Sequence, residues 1–178
     1  MDTNKTLIVN LFGAPGAGKS TGTAYVFSKL KLAGINAEIV SEFAKDKVWE
    51  GNGEVFKNQV YIFGKQSFKI SRCVGKVDVI ITDSPLLLSS YYNDSLSENF
   101  DKVVFEVFNS YNNVNFFIHR SKAYNPIGRF QTEEESDLIK DSLRELLINN
   151  NVEFTEVDGG LEGYDAIANK ILEMVTVK

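Results

Sequence analysis

One stretch constrains this chain more than any other: Gly13-Ala14-Pro15-Gly16-Ala17-Gly18-Lys19-Ser20. It fits the spacing G-x-x-x-x-G-K-[ST], and its flanks are what that spacing needs. Thr6 to Phe12 reads as a buried strand, and Thr21 to Leu32 reads as a helix. Glycines let a backbone turn tightly and approach a ligand without Cβ clashes. Successive N–H groups then point inward as an anion nest at a helix N-terminus. Lys19 can reach the β- and γ-phosphates of a nucleotide, and the Ser20 hydroxyl can ligate Mg²⁺. Gly13, Ala14, Pro15, Gly16, Ala17, Gly18, Lys19, Ser20 and Thr21 are therefore the candidate binding residues for a nucleoside triphosphate. The motif alone does not say what is done with it.

The bulk composition narrows the partners. A chain of 178 residues with 43% hydrophobic and 24% charged residues can build one domain with a sizeable core. The net charge is -5, and only Arg72, Arg120, Arg129 and Arg144 are arginines. A duplex-DNA binder normally shows a basic face, so the balance favours a small-molecule substrate. One cysteine, Cys73, allows no intramolecular disulfide and fits a reducing cytoplasm. No secretory signal is evident, and no apolar run approaches the roughly 18 residues of a membrane span. Residues 1–178 read as one domain.

Along the chain, strands alternate with helices. Gly34 is a natural helix stop, and Asn36 to Val40 reads as a second strand. Val55 to Val74 has helical spacing, interrupted by Gly64. Lys76 to Thr82 is an apolar strand, and Ser84-Pro85 predicts a helix start carrying Leu86, Leu87 and Leu88. Phe100 to Tyr111 reads as an amphipathic helix, and Val114 to Ile118 as a buried strand. Thr132 to Glu135 is a capping box, opening a helix with Leu138, Ile139, Leu143, Leu146 and Leu147 on one face. Val152 to Val157 reads as the last strand and Ala166 to Val175 as the last helix. This alternation predicts a parallel sheet covered on both faces. Right-handed crossovers then bring Phe12, Ser41, Asp83 and His119 to one rim.

Candidate chemistry gathers on that rim. Asp83 ends an apolar strand, where a carboxylate supporting Mg²⁺ sits in a phosphate-loop protein. Glu42 ends the second strand, where a carboxylate can orient or deprotonate an acceptor hydroxyl; Asp46, one turn on, is its substitute. Arg129 sits in a polar loop, residues 121–131, with Arg120 just upstream; such a loop can close over a nucleotide and bring arginines to a transferring phosphoryl group. Gln59 and Gln66, set among Tyr61 and Phe63, suit the reading of a planar ring, and plain helix surface fits them equally. Arg72 is a candidate for an acceptor's phosphate or an exposed side chain. His119, the one histidine, reads as structural. No Cys/His cluster fits zinc, and no G-x-S-x-G is present.

With those residues in view, the chain resembles small P-loop kinases. It looks most like the ATPase-type phosphate-loop domain that includes ribosylnicotinamide kinases, often encoded by phages. The likeness lies in Gly13–Ser20, Ser41-Glu-Phe-Ala44, the Gln59/Gln66 helix, Thr82-Asp-Ser-Pro85 and Tyr124…Gly128-Arg129, over roughly residues 6 to 175. Deoxynucleoside kinases are a second likeness, through Glu42 and Trp49. The resemblance implies a three-layer α/β P-loop NTPase fold, with a five-stranded parallel sheet in the order 2-3-1-4-5. It implies phosphoryl transfer from Mg·ATP to a small nucleoside-like acceptor. Lys19 and the loop amides would hold ATP, and Ser20 and Asp83 would hold Mg²⁺. Glu42 would orient the acceptor, and Arg129 would act from a lid.

Nucleotide-accepting kinases usually offer several arginines to the acceptor phosphate, so the scarcity of arginine tilts the expectation towards a nucleoside. A kinase acting on a hydroxymethylated base in DNA stays open, against the acidic balance. So does a regulatory ATPase with water as acceptor, although Ser84, where such ATPases place an acid, argues for a kinase. No N-K-x-D occurs, which disfavours GTP. The sequence leaves the oligomeric state open, a homodimer included.

Overall fold

Strand β1, Leu7–Phe12, is buried at every position and lies at the centre of the molecule. The computed structural model describes residues 6–43, 47, 50–51, 53–127 and 131–176. Alternate side chains of β1 point to opposite faces of the sheet, as the period of two requires. Leu7, Val9 and Leu11 meet one apolar layer with Val26, Leu30, Ile167 and Ile171. Ile8 and Phe12 meet the other with Ile70, Val104, Phe108, Leu143 and Leu147.

The remaining elements follow in order. Helix α1 is Lys19–Leu32, β2 is Ala37–Val40, and a 3-10 turn covers Gly53–Lys57. Then come α2 at Gln59–Ser71, β3 at Val79–Thr82, α3 at Leu88–Tyr91 and α4 at Glu98–Asn109. The chain continues with β4 at Asn112–His119, α5 at Glu133–Asn149, β5 at Thr155–Asp158 and α6 at Leu161–Thr176. All five strands are parallel, in the order β2-β3-β1-β4-β5. Helices α1 and α6 cover one face, and α2, α4 and α5 the other. This is the three-layer P-loop NTPase fold, with the strand order expected.

The β1–β4 register is reinforced by buried amides. Asn10 Nδ2 donates to Asn113 Oδ1 at 2.8 Å and to Asn115 Oδ1 at 3.0 Å. Asn113 in turn donates to the carbonyl of Phe108, and Asn115 to that of Glu153. A buried amide without partners is costly, so a one-residue slip of this strand pair would orphan several groups at once.

Several local expectations are corrected. The predicted helix from Val55 to Val74 is split at Asn58, whose side chain accepts from the Tyr61 N–H and caps α2. Ser84-Pro85 opens a turn, with the N–H groups of Leu88 and Ser89 bonded three residues back, and α3 begins only at Leu88. The apolar face of α5 is narrower than its periodicity implies. Leu143 and Leu147 are buried, whereas Leu138 is 71% exposed. The last helix starts five residues earlier than read, at Leu161. The Thr132/Glu135 capping box is present in both directions.

Candidate active site

The phosphate loop leaves β1 at the carboxyl edge of the sheet and enters α1. Four of its carbonyls each have an identified side-chain donor. Lys19 Nζ donates to Gly13 O at 2.7 Å and to Ala14 O at 3.0 Å. Ser136 Oγ, buried on α5, donates to Pro15 O at 2.7 Å. The Tyr164 hydroxyl, from α6, donates to Gly18 O at 2.9 Å. These bonds fix the loop's backbone, and a fixed run of backbone N–H groups is what an anion nest requires. Burial pushes the Tyr164 phenol above its usual range, which keeps the hydroxyl a donor.

Two glycines are fixed by close approach. Gly18 has φ +98°, and a Cβ there would strike the Tyr164 hydroxyl. Gly159, at the end of β5, lies so close to the carbonyls of Ala17 and His119 that any Cβ would overlap Ala17 O. Its N–H donates to His119 O at 2.7 Å. The β5–α6 turn is thereby wedged beneath the loop.

The metal half of the site is assembled across the sheet. Ser20 Oγ donates to Asp83 Oδ2 at 2.6 Å. Asp83 is buried, and its Oδ1 has no hydrogen-bond partner among the described residues. A buried, unpartnered carboxylate oxygen beside a serine hydroxyl and a phosphate nest is the donor set a hard divalent cation takes, with phosphate oxygens and water filling its octahedron. The residues present therefore fit Mg²⁺. Among the described residues no cluster of three His, Cys, Asp or Glu side chains offers an alternative metal site.

Glu42 stands half-buried just beyond β2, in a segment pinned on both sides. Lys69 Nζ donates to Ser41 O at 2.7 Å and to Ser41 Oγ at 3.0 Å. The Phe43 N–H donates to Gln66 Oε1 at 3.1 Å. Gln66 Nε2 reaches Ser84 O at 3.1 Å and Thr82 Oγ1 at 3.3 Å. One buried amide thus ties the Glu42 segment to the Asp83 turn. Across from it, the Tyr92 phenol is pushed up to about 12, first by burial, then by Tyr91 and the charge of Glu42.

The expected ring-reading role of Gln59 and Gln66 is corrected on these contacts. Both are buried, and Gln59 Nε2 donates to Phe56 O at 3.0 Å. Their amides hold protein groups and are not turned to an open cleft. Arg72 is exposed, the second of the two readings given for it. It follows α2 on the way to Gly75, whose N–H bonds Thr6 at the start of β1, so it lies at the edge opposite the phosphate loop.

Arg120 does lie at the rim, directly after β4. Its guanidinium stacks over Tyr124 at 5.3 Å, and its Nη2 bonds Asp137 at 2.8 Å and Glu133 at 3.1 Å. Its Nη1 is buried without a hydrogen-bond partner among the described residues. The Tyr124 hydroxyl donates to Gln131 O, closing the two ends of the 121–131 loop on each other. His119 packs on Phe117 and faces Glu156 at 3.5 Å, a structural setting. Asp46, Trp49, Gly128 and Arg129 lie outside the described residues.

The sequence reading missed Ser136, Gly159 and Tyr164. Tyr164 had a signal: Tyr164, Ile167, Ala168 and Ile171 are a helical stripe, and all are buried. The Gly159-Gly160 pair after a rim strand was another. Ser136 had none. A depression of about 590 Å³ lies at the far edge of the sheet, lined by Asn112, Asn115, Asn150 and Lys170 among others. It lies at the edge away from the loop.

Comparison with known proteins agrees with this fold. A family model described as an AAA domain matches residues 8–163. No curated protein matches the chain in sequence. Among solved structures, the chain is similar to the crystal structure of NadR protein in complex with NR, at 17% identity and a TM-score of 0.74. The likeness covers 99% of this chain and 53% of that one, so the chain spans about half the length of that neighbour. At this identity the likeness is one of fold.

Proposed function

The chain belongs to the AAA-domain family, and from that premise we propose that it is an ATP-dependent phosphotransferase acting on a nucleoside-like small molecule. The observation that carries the reading is the Ser20–Asp83 contact at 2.6 Å, with Asp83 Oδ1 left unpartnered beside the phosphate loop. Lys19 and the amides of residues 13–21 would bind the ATP phosphates. Ser20 and Asp83 would hold Mg²⁺, which when bound supplies charge neutralisation at the β- and γ-phosphates. Glu42, steadied by Lys69 and Gln66, would orient the acceptor hydroxyl and accept its proton. Arg129, from a lid over residues 121–131, would stabilise charge on the transferred group, with Arg120 as a second cation. Nicotinamide riboside is included among the acceptors because the NadR neighbour was solved with NR.

A second reading is a regulatory ATPase, favoured by the family description itself. Against it, the residue after Asp83 is Ser84, whose N–H bonds Thr82 Oγ1 and whose carbonyl accepts from Gln66. That position therefore supports the turn and carries no acid to activate water. The two readings part on acceptor dependence. ADP formation that rises with a nucleoside and yields its phosphate supports the kinase; ADP formation indifferent to every acceptor supports the ATPase. Lys19→Ala should abolish either turnover with the fold intact by circular dichroism.

A further inference from the structure

The acidic balance of the chain conceals one segment of opposite sign. From Lys57 to Val77 there are five cations, Lys57, Lys65, Lys69, Arg72 and Lys76, and no carboxylate, in a protein of net charge -5. Helix α2 forms most of this segment. Within α2, Tyr61, Lys65 and Phe68 recur at steps of four and three residues, which places them along one face; Arg72 caps the helix a turn further on, Lys57 lies in the turn before it and Lys76 beyond its end. All six are exposed. Phe68 is 65% exposed and Val60, about two turns earlier, 55%, whereas the opposite face buries Gln66 and Ile70. Gly64, within the stripe, has no atom within 4 Å of where a Cβ would stand, so no described residue covers the surface at that point.

Cations and aromatic rings therefore alternate along an open ridge. We propose that this ridge binds single-stranded nucleic acid, its phosphates on Lys65, Arg72 and Lys76 and its bases stacked on Tyr61 and Phe68. Tyr61 and Phe68 are roughly 10 Å apart along the helix axis, about three stacked nucleotide steps. Lys65 Nζ sits 5.4 Å from the Tyr61 ring centroid, so a cation and a stacking platform are already juxtaposed. A sequence-tolerant strand site needs that pairing: a basic track with planar faces along it. Lys57 is shared with Glu54 at 2.9 Å, and Lys69 is committed to Ser41, so neither is assigned a phosphate. At its upper end the ridge meets the rim, where the Tyr61 ring stands 5.5 Å from that of Phe43, next to Glu42. The surface stands independently of the phosphate-loop reading, and binding measured without ATP keeps the two apart.

The test is fluorescence anisotropy of a labelled oligodeoxynucleotide of about 15 nucleotides, titrated with the full chain. Binding should weaken about 15-fold between roughly 50 and 200 mM salt, the slope of about -2 expected for three phosphate contacts on a single strand. Lys65→Glu with Arg72→Glu should reduce affinity at least tenfold. Phe68→Ala should reduce it severalfold while leaving the salt slope unchanged, and it serves as the second probe should the charge reversal unfold the chain. Absence of binding at low salt overturns the proposal. So does binding that all these variants leave intact, since the strand then lies elsewhere. Capture by anionic phospholipid vesicles without oligonucleotide binding, or burial of the ridge in a dimer that Phe68→Ala dissociates, also overturns it.

Discussion

The Ser20 hydroxyl donates to Asp83 Oδ2 at 2.6 Å, joining the first turn of α1 to the end of β3. These residues are 63 positions apart, and they meet only because β1 and β3 are adjacent parallel strands whose carboxyl ends share one rim. The contact leaves the second carboxylate oxygen of Asp83 buried and unpartnered. Asp83→Asn keeps the shape and removes the charge. Turnover in the presence of Mg²⁺ should fall by about 10²-fold or more, while Mg-free nucleotide binding, read by equilibrium dialysis, changes little. Unaltered magnesium dependence would remove Asp83 from the metal site.

Tyr164 acts on the phosphate loop through one hydrogen bond and its ring. Tyr164→Phe keeps the ring against Gly22 and deletes the donor to Gly18 O. The expected loss is about 1 kcal/mol, a fall in Tm of roughly 2–4 °C for a chain of this size. ATP affinity should weaken severalfold as well, because the loop loses one of the bonds that fix its backbone. Differential scanning fluorimetry with and without ATP measures both, and an equal Tm in both proteins would contradict the role.

Gly159→Ala should be the most damaging small substitution at the rim. The added methyl would meet Ala17 O and His119 O, both backbone atoms that cannot step aside. Overpacking of this kind costs about 1–3 kcal/mol. Chemical denaturation should show the loss, and nucleotide binding should weaken with it because Ala17 belongs to the loop.

Gln66 is placed as a positioning residue for Glu42. Gln66→Leu removes the acceptor for Phe43 N–H and the donor to Ser84 O in one step. It should lower kcat at least tenfold with little change in KM for ATP, whereas a residue that reads the acceptor would raise the acceptor's KM instead. Steady-state kinetics with both substrates varied distinguishes the two.

The pH dependence at the alkaline end follows from two phenols. Tyr92 and Tyr164 both have pKa values raised in the folded chain by burial. Folding therefore favours their protonated forms. Their contribution is fully present below the ordinary phenol range and is lost as pH rises from about 10 towards about 12, where Tyr92 titrates. Denaturation midpoints should be flat in this respect near neutrality and fall at alkaline pH. Tyr92→Phe should lessen that fall, as followed by phenolate absorbance.

How far the sequence could be read depended on whether the deciding physics was local. The loop was legible because the Gly spacing, Lys19 and Ser20 are contiguous, and the strand before it is apolar but for Asn10. Asp83 was legible because strand order alone delivers it to the rim. The Thr132 cap was legible because both of its partners lie within one turn. Gln59 and Gln66 misled, since amides among aromatics look like ring readers until the fold shows which backbone groups they satisfy. Tyr164, Ser136 and Gly159 were missed because their roles are contacts with a loop more than a hundred residues away. The basic face of α2 was hidden by averaging, since composition records the sum of charge and not its placement.

The central claim is that this rim transfers a phosphoryl group to a nucleoside-like hydroxyl. The direct measurement is mass spectrometry of reactions containing ATP, Mg²⁺ and, in turn, nucleosides, nucleoside monophosphates, nicotinamide riboside and hydroxymethyl-containing DNA. The account predicts a phosphorylated small acceptor formed in step with ADP, and its loss in Glu42→Gln with ATP binding retained. ADP released with every acceptor unmodified, or an acceptor phosphorylated equally well by Glu42→Gln, would contradict it.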